Sequence, residues 1–133
     1  MMHVLNIARR DWLAMRRHAQ RRLPCEACGL LAGRGDDVEM VIGMRNIARS
    51  QVRFLMSPRG LWRAFSRLED LEMELIGIYH SHPDGPAQPS PTDIQEAMYP
   101  VVHVIWSRQG GIWQAGGFWI EGGRVSPAGL LVH

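Results

Sequence analysis

Two stretches of this chain carry apolar residues at helical spacing, and short apolar runs bounded by turn residues fill most of the rest. In the first stretch the apolar residues recur every three or four positions, at Ala8, Trp12, Met15, Ala19 and Leu23. This spacing predicts an amphipathic helix that ends near Pro24. The second stretch starts with Ser57 and Pro58, an N-cap residue followed by proline at the first helical position. The same spacing continues after them and predicts a second helix that runs to about Glu74.

The remaining apolar runs have the length and the flanking turn residues of β-strands. The predicted strands are 28–33, 38–44, 52–56, 75–79, 101–106, 113–120 and 124–132. A short third helix is predicted from Thr92 to Met98, with Ser90 or Thr92 near its start. Helices interleaved with strands indicate an α/β (α+β) fold. Because no repeat, low-complexity segment or linker interrupts the chain, residues 1–133 are expected to form a single domain.

Composition and charge argue against several classes of function. The formal net charge is only +2, which argues against a dedicated nucleic-acid binder. No apolar run approaches the ~20 residues that cross a bilayer, so no membrane partner is expected. The N-terminal residues lack the basic-then-apolar order of a signal peptide, so a cytoplasmic location is the default expectation. All fifteen basic residues are arginine, which rules out Schiff-base chemistry on lysine.

The residues best suited to bind a metal ion follow the strand predicted at 75–79. His80 and His82 are two residues apart, so on an extended backbone both side chains point the same way and can bind one metal ion. Pro83 ends the hydrogen bonding of the strand, and a loop rich in glycine and proline can bring Asp93 back toward the pair. Imidazole and carboxylate suit Zn²⁺, and three protein ligands leave the fourth tetrahedral position open, as in catalytic zinc sites.

Each of these residues also has an ordinary structural interpretation. A pair of histidines at this spacing occurs by chance, and Ser90 alone is most often a helix N-cap or turn residue. Asp93 can complement the charge at the start of a short helix. A carboxylate such as Glu26 is usually a surface residue. The metal-site hypothesis therefore depends on the whole pattern and not on any one residue.

The whole pattern resembles the signature of the JAMM (MPN+) metalloprotease family. His80-Ser81-His82-Pro83 is followed by Ser90 and Asp93, eight and eleven residues after the second histidine. That family also has a glutamate just before an apolar Gly-Leu-Leu segment, and here Glu26 precedes Gly29-Leu30-Leu31. The resemblance covers essentially the whole chain. It implies an MPN-like domain with a mixed, curved β-sheet flanked by helices, and a zinc site at a strand end and the following loop and helix.

The resemblance also implies a role for each matching residue. His80, His82 and Asp93 would bind one zinc ion per chain, Glu26 would be the general base, and Ser90 would help to hold the developing oxyanion. These roles agree with the chemistry of amide hydrolysis. Such a reaction needs an activated water, a group that moves a proton to the leaving amine, and a donor for the oxyanion.

The same resemblance suggests a class of substrate. Small members of the family act on ubiquitin-like proteins. The sequence around Glu26 and around Ser90 is similar to that of members that process sulfur-carrier proteins. The leading hypothesis is a zinc peptidase that cleaves next to the Gly-Gly tail of such a carrier. Two alternatives stay open: a deubiquitinase-like isopeptidase that acts on modifier–protein conjugates, and a non-catalytic MPN-type binding or scaffold module. The sequence leaves the oligomeric state open.

Other conspicuous residues receive structural interpretations. Cys25 and Cys28 resemble half of a zinc-deaminase signature, but the accompanying histidine motif lacks its glutamate. Cys28 is expected to face the core and Cys25 to be incidental. Four further histidines have no partner at ligand spacing and are expected to be structural or solvated: His3, His18, His103 and His133. The arginines of the first helix are expected to form a solvated face, although they could also attract an acidic partner.

Overall fold

The computed structural model of the protein describes residues 2–133, and in these it has seven strands and three helices. In chain order they are β1 His3–Ile7, α1 Arg9–Arg22, β2 Cys28–Arg34, β3 Asp37–Met44, α2 Pro58–Asp70, β4 Glu74–His82, α3 Pro91–Glu96, β5 Val101–Gln109, β6 Ile112–Glu121 and β7 Arg124–Val132. The predicted alternation of helices and strands is confirmed. No helix among the described residues is long and apolar enough to span a membrane.

The strands form one mixed sheet that closes into a barrel in the order β1-β3-β2-β4-β5-β6-β7. β4 pairs with a neighbouring strand along each of its edges: it runs parallel to β5 and antiparallel to β2. β1 closes the barrel because it pairs in parallel with β7 and, at Asn6 and Asp37, with β3. The mixed, curved sheet with flanking helices that the resemblance implied is thus confirmed.

Three details differ from the sequence predictions. β1 was not predicted, because five residues next to a helix carry too little periodicity to be recognised before their partner strands are known. The prediction of a strand at 52–56 was wrong: among these residues only Met56 forms a β-bridge, an isolated one with Asn46. The second helix ends at Asp70 and not near Glu74, because Glu72 adopts a left-handed φ of 55° and Glu74 already belongs to β4.

The core consists of two apolar clusters that lie on opposite faces of β4. Tyr79 packs in the first cluster with Met15 of α1, and Ile78 packs in the second with Ala64 of α2. The predicted burial of Tyr79 and Trp106 is confirmed. Because side chains alternate along a strand, this division places the even-numbered residues at the end of β4 on the face that α2 covers.

Candidate functional site

β4 ends with the two histidines of the predicted site. The side chain of His80 is fully buried and that of His82 nearly so, with ring centroids 5.0 Å apart. The strand stops at His82, as predicted from the proline that follows. Since β2 pairs with β4 only as far as His80, while β5 continues to His82, the two imidazoles lie at the point where the sheet opens into a loop.

Glu26 lies directly before β2 and is tied to its neighbours through its backbone. Its amide donates to the carbonyl of Ser50 at 2.8 Å, and its carbonyl accepts from the side chain of Asn46 at 3.1 Å. The amide of the next residue, Ala27, donates to the hydroxyl of Ser81 at 2.8 Å. These bonds hold a carboxylate that is only 2% exposed, with Oε1 3.6 Å from Nδ1 of His80.

Ser90 and Asp93 are joined by a capping box at the start of α3. The Ser90 hydroxyl accepts from the Asp93 amide at 3.1 Å, while the Asp93 carboxylate accepts from the Ser90 amide at 2.9 Å. Ser90 is therefore the N-cap, and Asp93 is buried at the third helical position. The ordinary interpretation of Ser90 as a cap is confirmed, but its hydroxyl hydrogen stays free to donate to another group.

The carboxylate of Asp93 meets both histidines. Its Oδ2 lies 3.0 Å from Nε2 of His82 and 3.8 Å from Nε2 of His80. Ligand atoms of Glu26, His80 and His82 lie within 4.8 Å of one another. The structure thus brings the four predicted acidic and imidazole residues together, and it offers two overlapping sets of three ligands that share the histidines.

The donor atoms fit a divalent metal ion. Nδ1 of His82 donates to the carbonyl of Pro86 at 2.8 Å, so in the neutral imidazole the lone pair is on Nε2, the nitrogen that faces Asp93, whereas in the protonated imidazolium Nε2 donates to the Asp93 carboxylate. Both nitrogens of His80 and Oε1 of Glu26 are buried and have no hydrogen-bond partner within residues 2–133, a costly arrangement unless another group binds them. Ligand atoms around a tetrahedral zinc lie about 3.3 Å apart. The distances from Oδ2 of Asp93 to Nε2 of His82 and of His80, 3.0 Å and 3.8 Å, lie on either side of this value.

The electrostatics of the site favour an ionised carboxylate that faces positive charge. Burial alone would raise the pKa of Asp93, but the hydrogen bond with His82, the charge of His80 and the Ser90 amide lower it to about 2. Burial alone would lower the pKa of His82, but the bonds to Asp93 and to the Pro86 carbonyl raise it above its ordinary value. A metal cation would satisfy the same carboxylate.

Three residues around the site were assigned no role from the sequence. Phe54 stacks on His80 with ring centroids 4.5 Å apart, although the segment that contains it was predicted as a strand. Ser81 holds the Glu26 turn from between the two histidines. His103 is buried, and its ring centroid lies 6.3 Å from that of His80. Burial, and to a smaller extent His80, lowers the pKa of His103 to about 4.

The other residues given structural interpretations lie outside the site. His3 stacks on Trp119, and His18 bonds the Tyr79 hydroxyl at 2.6 Å. Cys28 is buried, as predicted, and burial raises the pKa of its thiol to about 12. Cys25 is a free, partly exposed cysteine.

Two cavities border the site on different sides. An apolar cavity of about 290 Å³ is bounded by Asp93, Phe54 and His103. A larger cavity of about 850 Å³ is bounded by Glu26 and by polar residues of α1 and of the loop after β3. Two residues of the site, Glu26 and Asp93, therefore border cavities of different polarity.

Comparison with known proteins gives a consistent result. The family described as "Prokaryotic homologs of the JAB domain" matches residues 9–118. A Thermus thermophilus protein named "Probable TtuB-protein conjugate cleaving protease" is 45% identical over 96 residues, which are 71% of this chain and 64% of that protein. A Mycobacterium bovis protein named "CysO-cysteine peptidase" is 37% identical over 94 residues, 69% of this chain and 64% of the relative. The matched region thus spans less than two thirds of these curated relatives.

Solved structures agree with the fold. Protein DSY2949 from Desulfitobacterium hafniense superimposes with a TM-score of 0.87 at 32% identity, covering 97% of this chain and 92% of its own. AF2198 from Archaeoglobus fulgidus, described as a JAB1/MPN domain protein, superimposes with a TM-score of 0.54 at 19% identity, covering 98% of this chain and 99% of its own. The second match supports the fold alone.

Proposed function

The chain belongs to the family of prokaryotic homologs of the JAB domain, and on this premise we propose that it is a zinc-dependent peptidase. Its substrate would be the amide bond that follows the Gly-Gly tail of a ubiquitin-like sulfur-carrier protein. One observation carries the proposal. Two buried histidines each bring Nε2 within 3.8 Å of one carboxylate oxygen of the buried Asp93, and on the other side of His80 the buried Oε1 of Glu26 has no hydrogen-bond partner among the described residues.

His80, His82 and Asp93 would hold the zinc ion. An imidazole gives one nitrogen to a metal, and His80 turns Nε2 toward Asp93 and Nδ1 toward Glu26. The lone pair of His82 also faces Asp93, because the other nitrogen of that ring is engaged by the Pro86 carbonyl. A metal shared by both histidines would therefore be held on the side of Asp93, which would leave Glu26 free for proton transfer.

Glu26 is the proposed general base. When bound, zinc supplies Lewis acidity and lowers the pKa of a coordinated water to roughly 7. The Glu26 carboxylate can take a proton from the attacking water and later give it to the leaving amine. Its burial and its backbone bonds to Ser50 and Asn46 keep it in place.

Ser90 is the proposed donor to the oxyanion. Its hydroxyl oxygen already accepts a bond from the Asp93 amide, which fixes the side chain beside a metal ligand. The hydroxyl hydrogen can then point toward the carbonyl oxygen of the substrate, where negative charge develops during attack. The capping role and the catalytic role are compatible because they use different atoms of the hydroxyl group.

The choice of substrate rests on the relatives and on the resemblance described above. One relative is named for cleaving TtuB-protein conjugates and another for acting on CysO-cysteine. We extend this to a carrier protein with a Gly-Gly end, whose tail would reach the site as an extended strand. The name of the first relative also favours a second candidate function, isopeptidase activity on modifier–protein conjugates. The intact ligand set argues against a non-catalytic scaffold.

The test combines metal content with activity. We expect the purified protein to contain about one zinc per chain by mass spectrometry of the metal. Glu26→Gln should keep the metal and lose about 100-fold or more in kcat/KM on a carrier extended beyond Gly-Gly. His80→Ala should lose the metal, whereas His133→Ala, which changes an exposed histidine, should keep both metal and activity.

Two results would contradict this assignment. A Glu26→Gln protein that cleaved as fast as the parent would remove Glu26 from the mechanism. Stoichiometric zinc in His80→Ala and in a matching His82→Ala variant would mean that the ligands lie elsewhere. Mass spectrometry of products from a carrier–amino-acid adduct and from a carrier–lysine conjugate would separate the two enzymatic functions.

A further inference from the structure

The outer edge of β3 has no strand partner over most of its length. β3 pairs with β2 from Asp37 to Met44, but its other edge meets β1 only where Asp37 pairs with Asn6. Among the described residues, no other strand and no isolated bridge reaches this outer edge between Val38 and Met44. An unpaired strand edge presents backbone N–H and C=O groups to which another extended segment can bind. This part of the sheet can therefore accept a further strand.

Nothing in the sequence of β3 protects the free part of its edge. Such edges are commonly blocked by charged residues, by proline or by a bulge within the strand itself. Residues 40–44 read Met-Val-Ile-Gly-Met and contain neither a charge nor a proline. The register shift between β2 and β3 lies before Met40, so these residues pair regularly with β2. The free part of the edge is thus straightforward to pair with.

Arginines from neighbouring segments surround this edge on both faces of the sheet. The larger cavity, of about 850 Å³, lies on the α1 side and is bordered by Val41 and Gly43. A third cavity, of about 480 Å³, lies on the α2 side and is bordered by Ile42 and Gly43. Glu26 is the only acidic residue in either lining. Seven exposed arginines line one cavity or both: Arg21, Arg22, Arg45, Arg49, Arg59, Arg63 and Arg67.

The positive charge of these seven residues is not neutralised by the protein. The arginine ion pairs found within residues 2–133 involve three other side chains: Arg10, Arg34 and Arg53. Helix electrostatics favour Arg21 and Arg22 in the last turn of α1, but they disfavour Arg59 in the first turn of α2. The arrangement therefore needs another explanation, and a ligand that binds along this edge should be anionic.

We infer that the free edge of β3 binds an extended acidic segment of a partner protein, which joins the sheet as a further strand. Such a strand would lie about 4.8 Å from β3, and its successive side chains would point to opposite faces. Side chains on one face would enter the larger cavity and those on the other face the third cavity. Because arginines line both cavities, consecutive Asp or Glu residues fit this edge better than alternating acidic and apolar residues.

The two kinds of contact have different roles. Main-chain hydrogen bonds to β3 would supply affinity that depends little on sequence, as in other cases of strand addition. Charge-assisted hydrogen bonds between guanidinium and carboxylate groups would select the acidic segment. Binding along this edge requires neither the metal ligands nor proton transfer by Glu26, so it can be measured independently of the proposed function.

Two other occupants fit this surface less well. A second copy of the chain that paired through the same edge would bring the arginines of both copies together, and like charges in close contact are destabilising. A single-stranded nucleic acid would match the charge, but protein surfaces that bind it combine positive charge with exposed aromatic rings. No Phe, Tyr or Trp residue other than the buried Tyr79 lines either cavity.

A pair of synthetic peptides tests the inference on the whole chain. The probe is a capped peptide of about eight residues with a central run of glutamate. Its control carries N-methyl groups on two adjacent central residues, which keep the charges but remove backbone donors. At low ionic strength, where surface charges are least screened, fluorescence anisotropy should show that the parent binds the probe about tenfold or more tightly than the control.

Matched arginine variants test the role of charge. Arg21→Gln/Arg22→Gln and Arg59→Gln/Arg63→Gln each remove two charges from one face of the edge, and each should weaken binding of the probe about tenfold. Arg16→Gln/Arg17→Gln removes two charges from exposed positions of α1 that line neither cavity, and should keep the affinity. Hydrogen exchange followed by mass spectrometry should show slower exchange of the amides of residues 40–44 in the bound protein, and unchanged exchange in β6.

Several results would overturn the inference. Equal affinities for the probe and its N-methylated control would mean that charge alone attracts the peptide, and so would an equal loss of affinity in Arg16→Gln/Arg17→Gln. Absence of binding to the parent, or protection away from β3, would exclude this edge. Tighter binding of a single-stranded oligonucleotide of the same charge would assign the surface to nucleic acid, and protection of residues 40–44 in a dimer seen by light scattering would assign it to a second copy. None of these measurements uses zinc or a carrier substrate, so their failure is distinguishable from failure of the proposed function.

Discussion

Replacing Ser81 with alanine should loosen the turn that carries Glu26 while leaving both histidines in place. The Ser81 hydroxyl accepts from the Ala27 amide at 2.8 Å, and both residues are buried. The backbone contact between the two residues survives, because the Ser81 amide donates to the Ala27 carbonyl at 3.0 Å. Removing the hydroxyl leaves a buried amide without a partner, which lowers the free energy of unfolding by about 1–3 kcal/mol.

Activity should fall for a related reason. Ala27 is the residue after Glu26, and a misplacement of about 1 Å at a reacting group can reduce the rate up to about 100-fold. Urea unfolding followed by tryptophan fluorescence measures the stability, and kcat/KM at constant zinc content measures the placement of the base. Ser126→Ala removes the same hydroxyl from an exposed position of β7 and should change neither quantity.

Two results would refute this reasoning about Ser81. Unchanged stability would mean that the Ala27 amide finds another partner when the hydroxyl is gone. Reduced stability with unchanged kcat/KM would mean that the bond supports the fold but does not position Glu26. Loss of zinc from the Ser81→Ala protein would show that the change has reached the histidines.

Two further predictions concern the surroundings of the metal ligands. The pKa of His103 in the folded protein, about 4, lies below its ordinary value of 6.5. As the pH falls between these two values, the unfolded chain takes up a proton before the folded protein does. The free energy of unfolding therefore decreases by up to about 3 kcal/mol over this range. Urea unfolding across this range should show a shallower pH dependence in His103→Gln, and an unchanged dependence would contradict the assignment. Phe54→Ala should weaken zinc binding about tenfold, because the ring that stacks on His80 restricts its orientation. Competition with a chromophoric chelator measures this zinc affinity. The control variant Phe65→Ala removes a ring packed against Tyr99 and should leave the affinity unchanged. Equal zinc affinities in Phe54→Ala and the parent would refute the role of the stacked ring.

The sequence could predict features that depend on neighbouring residues in the chain. The spacing of His80 and His82 on a strand that stops at a proline, and the cap formed by Ser90, are local signals, and the structure has them in place. Phe54 could not be found in this way, because its contact with His80 is made across the fold by a segment without regular structure. The larger cavity that Glu26 borders is likewise formed by residues of α1 and of the loop after β3, and only the fold brings these distant segments together.

The site depends on the register between β2 and β4, and a steric fit on the opposite face of the sheet restricts that register. Gly29 pairs with Tyr79, so that Cys28 pairs with His80. Any side chain at Gly29 would overlap the Tyr79 ring, whose hydroxyl is in turn bonded to His18 of α1. Because side chains alternate across a strand, a slip of one residue would turn the metal ligands toward α1. Gly29, three residues after Glu26, therefore helps to set the position of that glutamate relative to His80, and the glutamate and histidine motifs act as one structural unit.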